Sequence, residues 1–381
     1  MNVTMLLHIL NYFLLAIACV TTFYMLVFSI ASIFNRHTTI PHAKRQNRFL
    51  VLIPSYKKDK VILNTVSAIL GQSYPQRLFD VTVISDHQSE MTNMRLAQYT
   101  VTLLTPNFEK SSKLKSLQYA MLKLLEFKLY DIVLILDADN IVEPEFLERM
   151  NDAFEYSGTK AIQSHRLARN RDTSSARLDS IFEEINNSIF RRGHINLGLS
   201  AALLGSGVAY DFMWFKNHIM KVRPNGEDKE LEAMLMREHI FVDYFDNIYI
   251  YDEKKRVASD LNKQRGRWIT TQMRSLLKNI RFLPTALLTR HYDWVDKIVQ
   301  WMLLPRTIAV ILFVFMSIVV PIVNIQMGMQ WWIIAFLFGL SLAIATPNEM
   351  VDKNWDKDFL SLPIMAVMAV FRKLRNIIKK K

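Results

Sequence analysis

The chain has 381 residues, of which 51% are hydrophobic, a high share for a soluble protein and enough for a large domain with membrane attachments. Lys and Arg number 47 against 35 Asp and Glu, and the net charge of +12 suits anionic headgroups, nucleotide phosphates or nucleic acid without choosing among them. A single cysteine, Cys19, excludes a disulfide-stapled secreted module and any zinc site built on several thiolates.

Residues 1–35 contain no Asp, Glu, Lys or Arg, and Met5 to Phe34 is long enough for the ~20 apolar residues that cross a bilayer core. This reads as an N-terminal transmembrane helix. A cleaved signal peptide fits less well, because a positive n-region is missing and basic residues follow the apolar run. Those residues, Arg36, Lys44, Arg45 and Arg48, place the next domain in the cytoplasm by the positive-inside rule.

From 47 to 270 the chain is hydrophilic, with no internal repeat. Short apolar runs at Phe49–Ile53, Val81–Ile84, Val101–Leu104 and Ile132–Leu136 read as strands, with helices at Val61–Leu70 and Ser111–Leu125. The alternation predicts an α/β domain around a mostly parallel sheet, with ligands at the carboxyl ends of the strands. Asp86 follows the second of these strands, where a carboxylate accepts from a base or ribose or simply makes a turn. Lys110, Lys113 and Lys115 open a helix whose first turn suits phosphate, or they form a solvated basic face.

Asp137-Ala138-Asp139 ends the fourth strand with two hard-oxygen ligands on one side of an extended chain, a pattern suited to Mg2+ or Mn2+ shared with a diphosphate, or to a turn or cap. In Asn225-Gly226-Glu227-Asp228 a turn precedes a helix start. The two acids either cap that helix or hold Asp228 where it takes a proton from an attacking hydroxyl. Gln264-Arg265-Gly266-Arg267-Trp268 suits an interfacial belt, or a pocket floor with Trp as a sugar platform and Arg as a diphosphate clamp.

Residues 271–297 read as interfacial helices, since Met273 to Leu288 mixes Arg274, Lys278 and Arg281 with Leu and Phe at helical spacing. Residues 298–346 read as a transmembrane hairpin, one leg from Ile298 to Val323 and the other from Trp331 to Ala345, joined by the uncharged linker Asn324 to Gln330. Residues 347–381 read as a cytoplasmic loop, an interfacial amphipathic helix and a basic tail, because a further crossing would export that tail.

In order and spacing these segments resemble the family 2 glycosyltransferases, specifically the membrane-embedded branch of cellulose, chitin and hyaluronan synthases, over roughly residues 47–270 and part of the C-terminal membrane region. The resemblance implies a GT-A-type nucleotide-sugar-binding domain. Pro54 and Tyr56 match the opening Pro-x-Tyr turn and Asp86 the first carboxylate, which in that family contact uracil and ribose. Lys115 falls near the nucleotide, and Asp137 and Asp139 match the metal-binding Asp-x-Asp. Gln163 matches a glutamine on the following strand, and Gly205-Ser206-Gly207 the loop before the acceptor site. Glu227-Asp228 is similar to Thr-Glu-Asp, whose Asp is the general base, and Gln264, Arg265, Arg267 and Trp268 match Gln-x-x-Arg-Trp. Two departures stand out: Lys57-Lys58 replaces the Asn-Glu that contacts the base, a role left to Asp59 or lost, and Gly226 replaces Thr.

The activity implied is inverting transfer of a sugar from a nucleotide diphosphate, a UDP-sugar, to an acceptor hydroxyl. Asp228 is the base, a divalent cation sits on Asp139, and Arg265 or Arg267 stabilises the leaving diphosphate. Repeated extension of a beta-linked polysaccharide is expected, with Trp268 holding the acceptor. The alternative is a single transfer to a lipid acceptor of ceramide or polyprenyl phosphate type. A membrane scaffold without activity would require Asp86, Asp137, Asp139 and Asp228 to be coincidental. The partners implied are the donor, a growing glycan or lipid, and membrane lipids, with an export partner or a homo-oligomer left open and nucleic acid excluded.

Overall fold

The computed structural model describes residues 3–34, 40–124, 129–223, 226–254 and 258–350. The four apolar runs form β1 (Phe49–Tyr56), β2 (Phe79–Asp86), β3 (Thr102–Leu104) and β4 (Ile132–Ile135). Four more strands follow: β5 (Ile141–Val142), β6 (Ala161–Ala168), β7 (Val208–Asp211) and β8 (Val242–Asp252). All eight join one sheet in the order β3-β2-β1-β4-β7-β6-β8-β5.

β1 runs parallel to β2 and β4, and β2 parallel to β3, as the strand and helix alternation predicts. The other half is mixed, because β7 inserts antiparallel between β4 and β6, while β8 pairs parallel with β6 and antiparallel with β5. Alternate side chains of β1 and β4 enter two separate cores. Leu50, Leu52, Val133 and Ile135 pack on one face, and Phe49, Val51, Ile53, Ile132 and Leu134 on the other. Burial on both faces is why these strands read as unbroken apolar runs.

Among the described residues three helices are long and apolar enough to cross a membrane: Met5–Ala31, Arg306–Val323 and Ile325–Ala345. The run read from Ile298 is divided. A helix at Tyr292–Met302 stays on the sheet domain, with Trp294, Ile298 and Trp301 in its core, and the next helix begins at Arg306 after Pro305. Polar anchors explain the division, since Lys297 is fully buried beside Glu232 and the Gln300 amide donates to Asp296 at 2.7 Å. The linker expected over Asn324–Gln330 shrinks to Asn324, whose side chain caps the last helix by accepting from the Gln326 and Met327 amides. The first helix joins the bundle through Trp331, whose indole donates to Asn11 at 2.9 Å. The expected features within 351–381, and Arg36, lie outside the described residues.

Candidate functional site

Three parallel strands deliver their carboxyl ends to one cavity of about 380 Å3. Tyr56 at the end of β1 is the register partner of Asp86 at the end of β2, and both line the cavity with Pro54 and Ser55. Asp86 is buried; its Oδ1 meets His87 Nδ1 at 2.6 Å, while its Oδ2 has no hydrogen-bond partner among the described residues. A buried carboxylate oxygen without a donor is costly, so it marks where a ligand hydroxyl or N–H belongs. Lys57 and His87, immediately after the two strands, adopt φ of 50° and 55°. Left-handed backbone at two non-glycine positions on one rim is strain held beside a binding site.

Asp137 and Asp139 follow β4 and line the same cavity, each held by a lysine. Lys113 Nζ bonds Asp137 and the Gly205 carbonyl, and Lys58 Nζ bonds Asp139. Burial lowers the Lys58 ammonium's affinity for its proton, but Asp139 outweighs this and holds its pKa above the ordinary value. Lys58 thus fills the departure from the family pattern with a cation. Asp59 does not line this cavity; its carboxylate accepts from the Ser89 amide and hydroxyl, both at 2.7 Å, and these bonds pull its pKa down to about 2.

The loop Gly205-Ser206-Gly207 supports this turn from behind. The Asp137 amide donates to Ser206 Oγ at 2.8 Å, and that hydroxyl bonds Asn140. Gly207 has φ +64°, and a side chain there would collide with Ser164 and Ile250. Gln163 is fully buried; its amide donates to the Ser206 and Gly207 carbonyls at 3.0 and 3.2 Å and accepts from the Leu204 amide at 2.7 Å. It therefore shapes the loop and stays out of the cavity.

Other expected residues are placed differently. Lys115 does not line the cavity, since its ammonium donates to the Lys110 carbonyl at 2.7 Å and lies over Phe108; of the lysines that open this helix, Lys113 lines it. Glu227 and Asp228 open the helix Glu227–Arg237, as the turn before them predicts. Asp228 lines neither this cavity nor the second one described below, but it neighbours the Lys113 contact. A Cβ built on Gly205 would lie 3.4 Å from Lys113 Nζ and 4.0 Å from the Asp228 Cβ. Gly226 has φ +123° and faces Thr271, so the family's threonine would be strained and would meet the Thr271 methyl.

The Gln264–Trp268 segment is one turn of a helix, Ala258–Asn279, and helical rotation spreads its residues apart. Gln264 lines the first cavity, and its Oε1 is buried without a hydrogen-bond partner among the described residues. Arg265 and Trp268 instead line a second cavity of about 200 Å3, and Arg267 is exposed and lines neither. The two cavities adjoin at Asp179, which lines both and whose pKa is raised by burial.

Lys58, Arg166, Asp179, Asp252 and Glu253 complete the first cavity's charged wall and were not among the expected site residues. Arg166 pairs with Glu183 at 2.6 Å from within β6, where no local motif distinguishes it from a surface arginine. The wall carries the carboxylates of Asp86, Asp137, Asp139, Asp179, Asp252 and Glu253 against the cations of Lys58, Lys113 and Arg166. That acidic excess, with hard oxygens on Asp137 and Asp139, fits a divalent cation entering with an anionic ligand. Among the described residues no three His, Cys, Asp or Glu converge to hold an ion by themselves, so a ligand would supply the remaining oxygens.

Residues 46–271 match the family model described as glycosyltransferase like family 2. No curated protein sequence matches the chain. A solved mannosyltransferase from Pyrobaculum calidifontis, in complex with GDP-Man and Mn2+, aligns with TM-score 0.53 and 14% identity over 87% of this chain and 97% of that one. S. aureus TarS 1-349 aligns with TM-score 0.46 and 14% identity over 80% and 82% of the two chains. Its complex with UDP-GlcNAc gives 0.41 and 16% over 60% and 66%. At such identities the mannosyltransferase speaks for the fold alone. That fold is GT-A, here with a mixed sheet.

Proposed function

The chain belongs to glycosyltransferase like family 2 and is a nucleotide-sugar transferase, and from that premise we propose that it transfers a sugar from a UDP-sugar, with inversion, to the hydroxyl of a lipid-borne acceptor at the cytoplasmic face of a membrane. The observation that carries the donor assignment is the cavity at the ends of β1, β2 and β4, with the unpartnered Asp86 oxygen at one end and the Asp137 and Asp139 carboxylates at the other. Asp86 and Tyr56 receive the nucleoside, and Lys58 and Lys113 exchange their carboxylate partners for diphosphate oxygens as the donor binds. A divalent cation, Mg2+ or Mn2+, held by Asp137 and Asp139 would neutralise charge on the leaving diphosphate. Asp228, beside Lys113 at a helix start, takes the proton from the attacking hydroxyl.

The lipid acceptor is favoured by the adjoining second cavity, which the membrane helices themselves help to wall: Met25, Pro305, Arg306 and Thr307 line it together with Trp268. Repeated extension of a polysaccharide is a second reading, supported by the Gln-x-x-Arg-Trp pattern at Gln264 to Trp268.

The test is purified protein in detergent, supplied with a panel of UDP- and GDP-sugars, either cation and membrane lipid extract, with products sized. A UDP-sugar is expected to give a single addition to lipid. Asp139→Asn is expected to abolish it with the fold intact by circular dichroism, as is chelation of the wild type. Full activity in excess chelator would remove the cation from the mechanism, and long chains would favour the polymer reading.

A further inference from the structure

One buried charge of the catalytic block has no part in the transfer described above. Lys297, on the Tyr292–Met302 helix, is fully buried; its ammonium donates to the Ser200 and Ala201 carbonyls and to Gln300 Oε1, each at 3.4 Å, and lies 3.4 Å from Glu232 Oε1. Asp293, one turn earlier on that helix and on the same side, accepts from the Ser200 amide at 2.6 Å and from its hydroxyl at 2.7 Å. One helix face thus grips residues 200–201 with a cation and an anion together.

Two routes lead from this grip to the site. Glu232, also fully buried, accepts from the Leu203 amide at 2.9 Å and stands one turn after Asp228 on the Glu227–Arg237 helix. The segment gripped at Ser200 runs on to Gly205, whose carbonyl accepts from Lys113, and to Ser206, whose hydroxyl accepts from the Asp137 amide at 2.8 Å. Asp228 and the carboxylate turn therefore take their places from the same ammonium. Leu203, Leu231, Leu235, Ile298 and Trp301 share one apolar cluster around it, and such contacts resist separation but let helices slide. Burying an ion pair costs desolvation about as large as its attraction, so apolar side chains of the same volume would hold these helices together as firmly. What the pair adds is a single register between them.

We propose that Lys297 is a positioning residue for the transfer: it sets the register of the helix that carries Asp228 against the 200–206 segment, and so places Asp228 relative to the Lys113 end of the donor cavity. The proposal rests on the reading of Asp228 as the base. A misplacement of about 1 Å at the reacting atoms is enough to cost about 10²-fold in rate, so a residue that touches no substrate has this much to contribute.

The test uses the full-length protein in detergent with Lys297→Met, Asp228→Asn, the two combined, and Lys297→Met combined with Glu232→Gln. Turnover is read with the UDP-sugar and membrane lipid extract that support transfer by the wild type, UDP affinity by calorimetry, and stability by the denaturant midpoint. Lys297→Met is expected to lower turnover about 10²-fold and to leave UDP affinity within about twofold. Adding Glu232→Gln removes the buried carboxylate left without its lysine, so this double variant is expected to regain most of the midpoint and none of the rate. It also carries the comparison where Lys297→Met alone does not fold. A rate that returns with the midpoint would make Lys297 a support of the fold only and overturn the proposal, as would UDP affinity falling as far as turnover. In the Asp228→Asn background Lys297→Met is expected to cost less than about threefold more, because the group it places is already gone. A further loss of about 10²-fold there would overturn action through Asp228 while leaving Asp228 as the base. Asp228→Asn with wild-type turnover would strike the base reading itself, and the positioning role with it.

Discussion

Asp228 and Glu232 lie one turn apart on the same helix and face different demands. Asp228 is partly exposed next to the Lys113 contact, whereas Glu232 is fully buried, accepts from the Leu203 amide at 2.9 Å and pairs with Lys229 at 2.9 Å and Lys297 at 3.4 Å. If Asp228 is the base, Asp228→Asn should retain donor binding by calorimetry and lose about 10² to 10⁴ in turnover; a loss of donor affinity as large as the loss of rate would make it a ligand or a cap. For Glu232, burial pushes the carboxyl pKa up, but the two lysines and the Leu203 amide outweigh it and hold it below the ordinary value. A depressed pKa contributes stability that is present above the unfolded value of about 4.3 and is lost as pH falls toward the folded value. Glu232→Gln leaves Lys297 buried beside a neutral amide, so it should cost about 3 kcal/mol at neutral pH and flatten the acid limb of the denaturant midpoint against pH. Equal midpoints for the two proteins at pH 7 would refute this.

Among the elements, the first helix is attached by a polar latch as well as by apolar packing. Tyr24 donates to Asp296 at 2.6 Å and meets His194 Nε2 at 2.8 Å, and Phe28 stacks on the His194 ring at 3.7 Å. The latch joins a membrane-type helix to His194, just after the π-helical turn Ser188–Gly193, and to the Tyr292–Met302 helix, so the catalytic block and the bundle share one set of buried bonds. Tyr24→Phe keeps the ring and removes the hydroxyl, leaving Asp296 and His194 short of a partner. It is expected to lower stability in detergent by on the order of 1 to 3 kcal/mol in a denaturant titration. An unchanged midpoint would show that packing alone holds the helix.

At the scale of the whole molecule, the outer surfaces of the three apolar helices are what a lipid environment requires. Phe23 and Phe336 are 70% exposed, and Ile322 and Val323 more than that. If the catalytic block is cytoplasmic, as the basic residues after the first helix favour, three crossings put the N-terminus and the turn at Asn324 on the far side. With Cys19 replaced, Gln326→Cys should react with an impermeant thiol probe in intact cells and Gln76→Cys, on the catalytic block, should not. The reverse pattern would invert the topology, and labelling of both would remove the block from the cytoplasm.

The parallel half of the sheet was legible before any coordinates, because β1, β2 and β4 are buried on both faces and so appear as continuous apolar runs, and because Asp86, Asp137 and Asp139 lie at or just beyond the ends of their strands. The three long apolar helices were legible from length and composition alone. Short β7 and its antiparallel insertion carried too little pattern to read. Lys113 and Lys115 look equivalent in sequence, but two positions on a helix point nearly opposite ways, and the fold chose Lys113 for the cavity. The Gln264–Trp268 segment names a motif, but its helical form sends Gln264 to one cavity and Arg265 and Trp268 to the other. The meetings of Glu232 with Lys297 and of Arg265 with Arg306 join residues from separate helices. Local sequence determined which segments are strands, long apolar helices and carboxylate turns, because those depend on neighbours along the chain; tertiary packing alone decided which charges share a buried space, because that depends on how the helices cross.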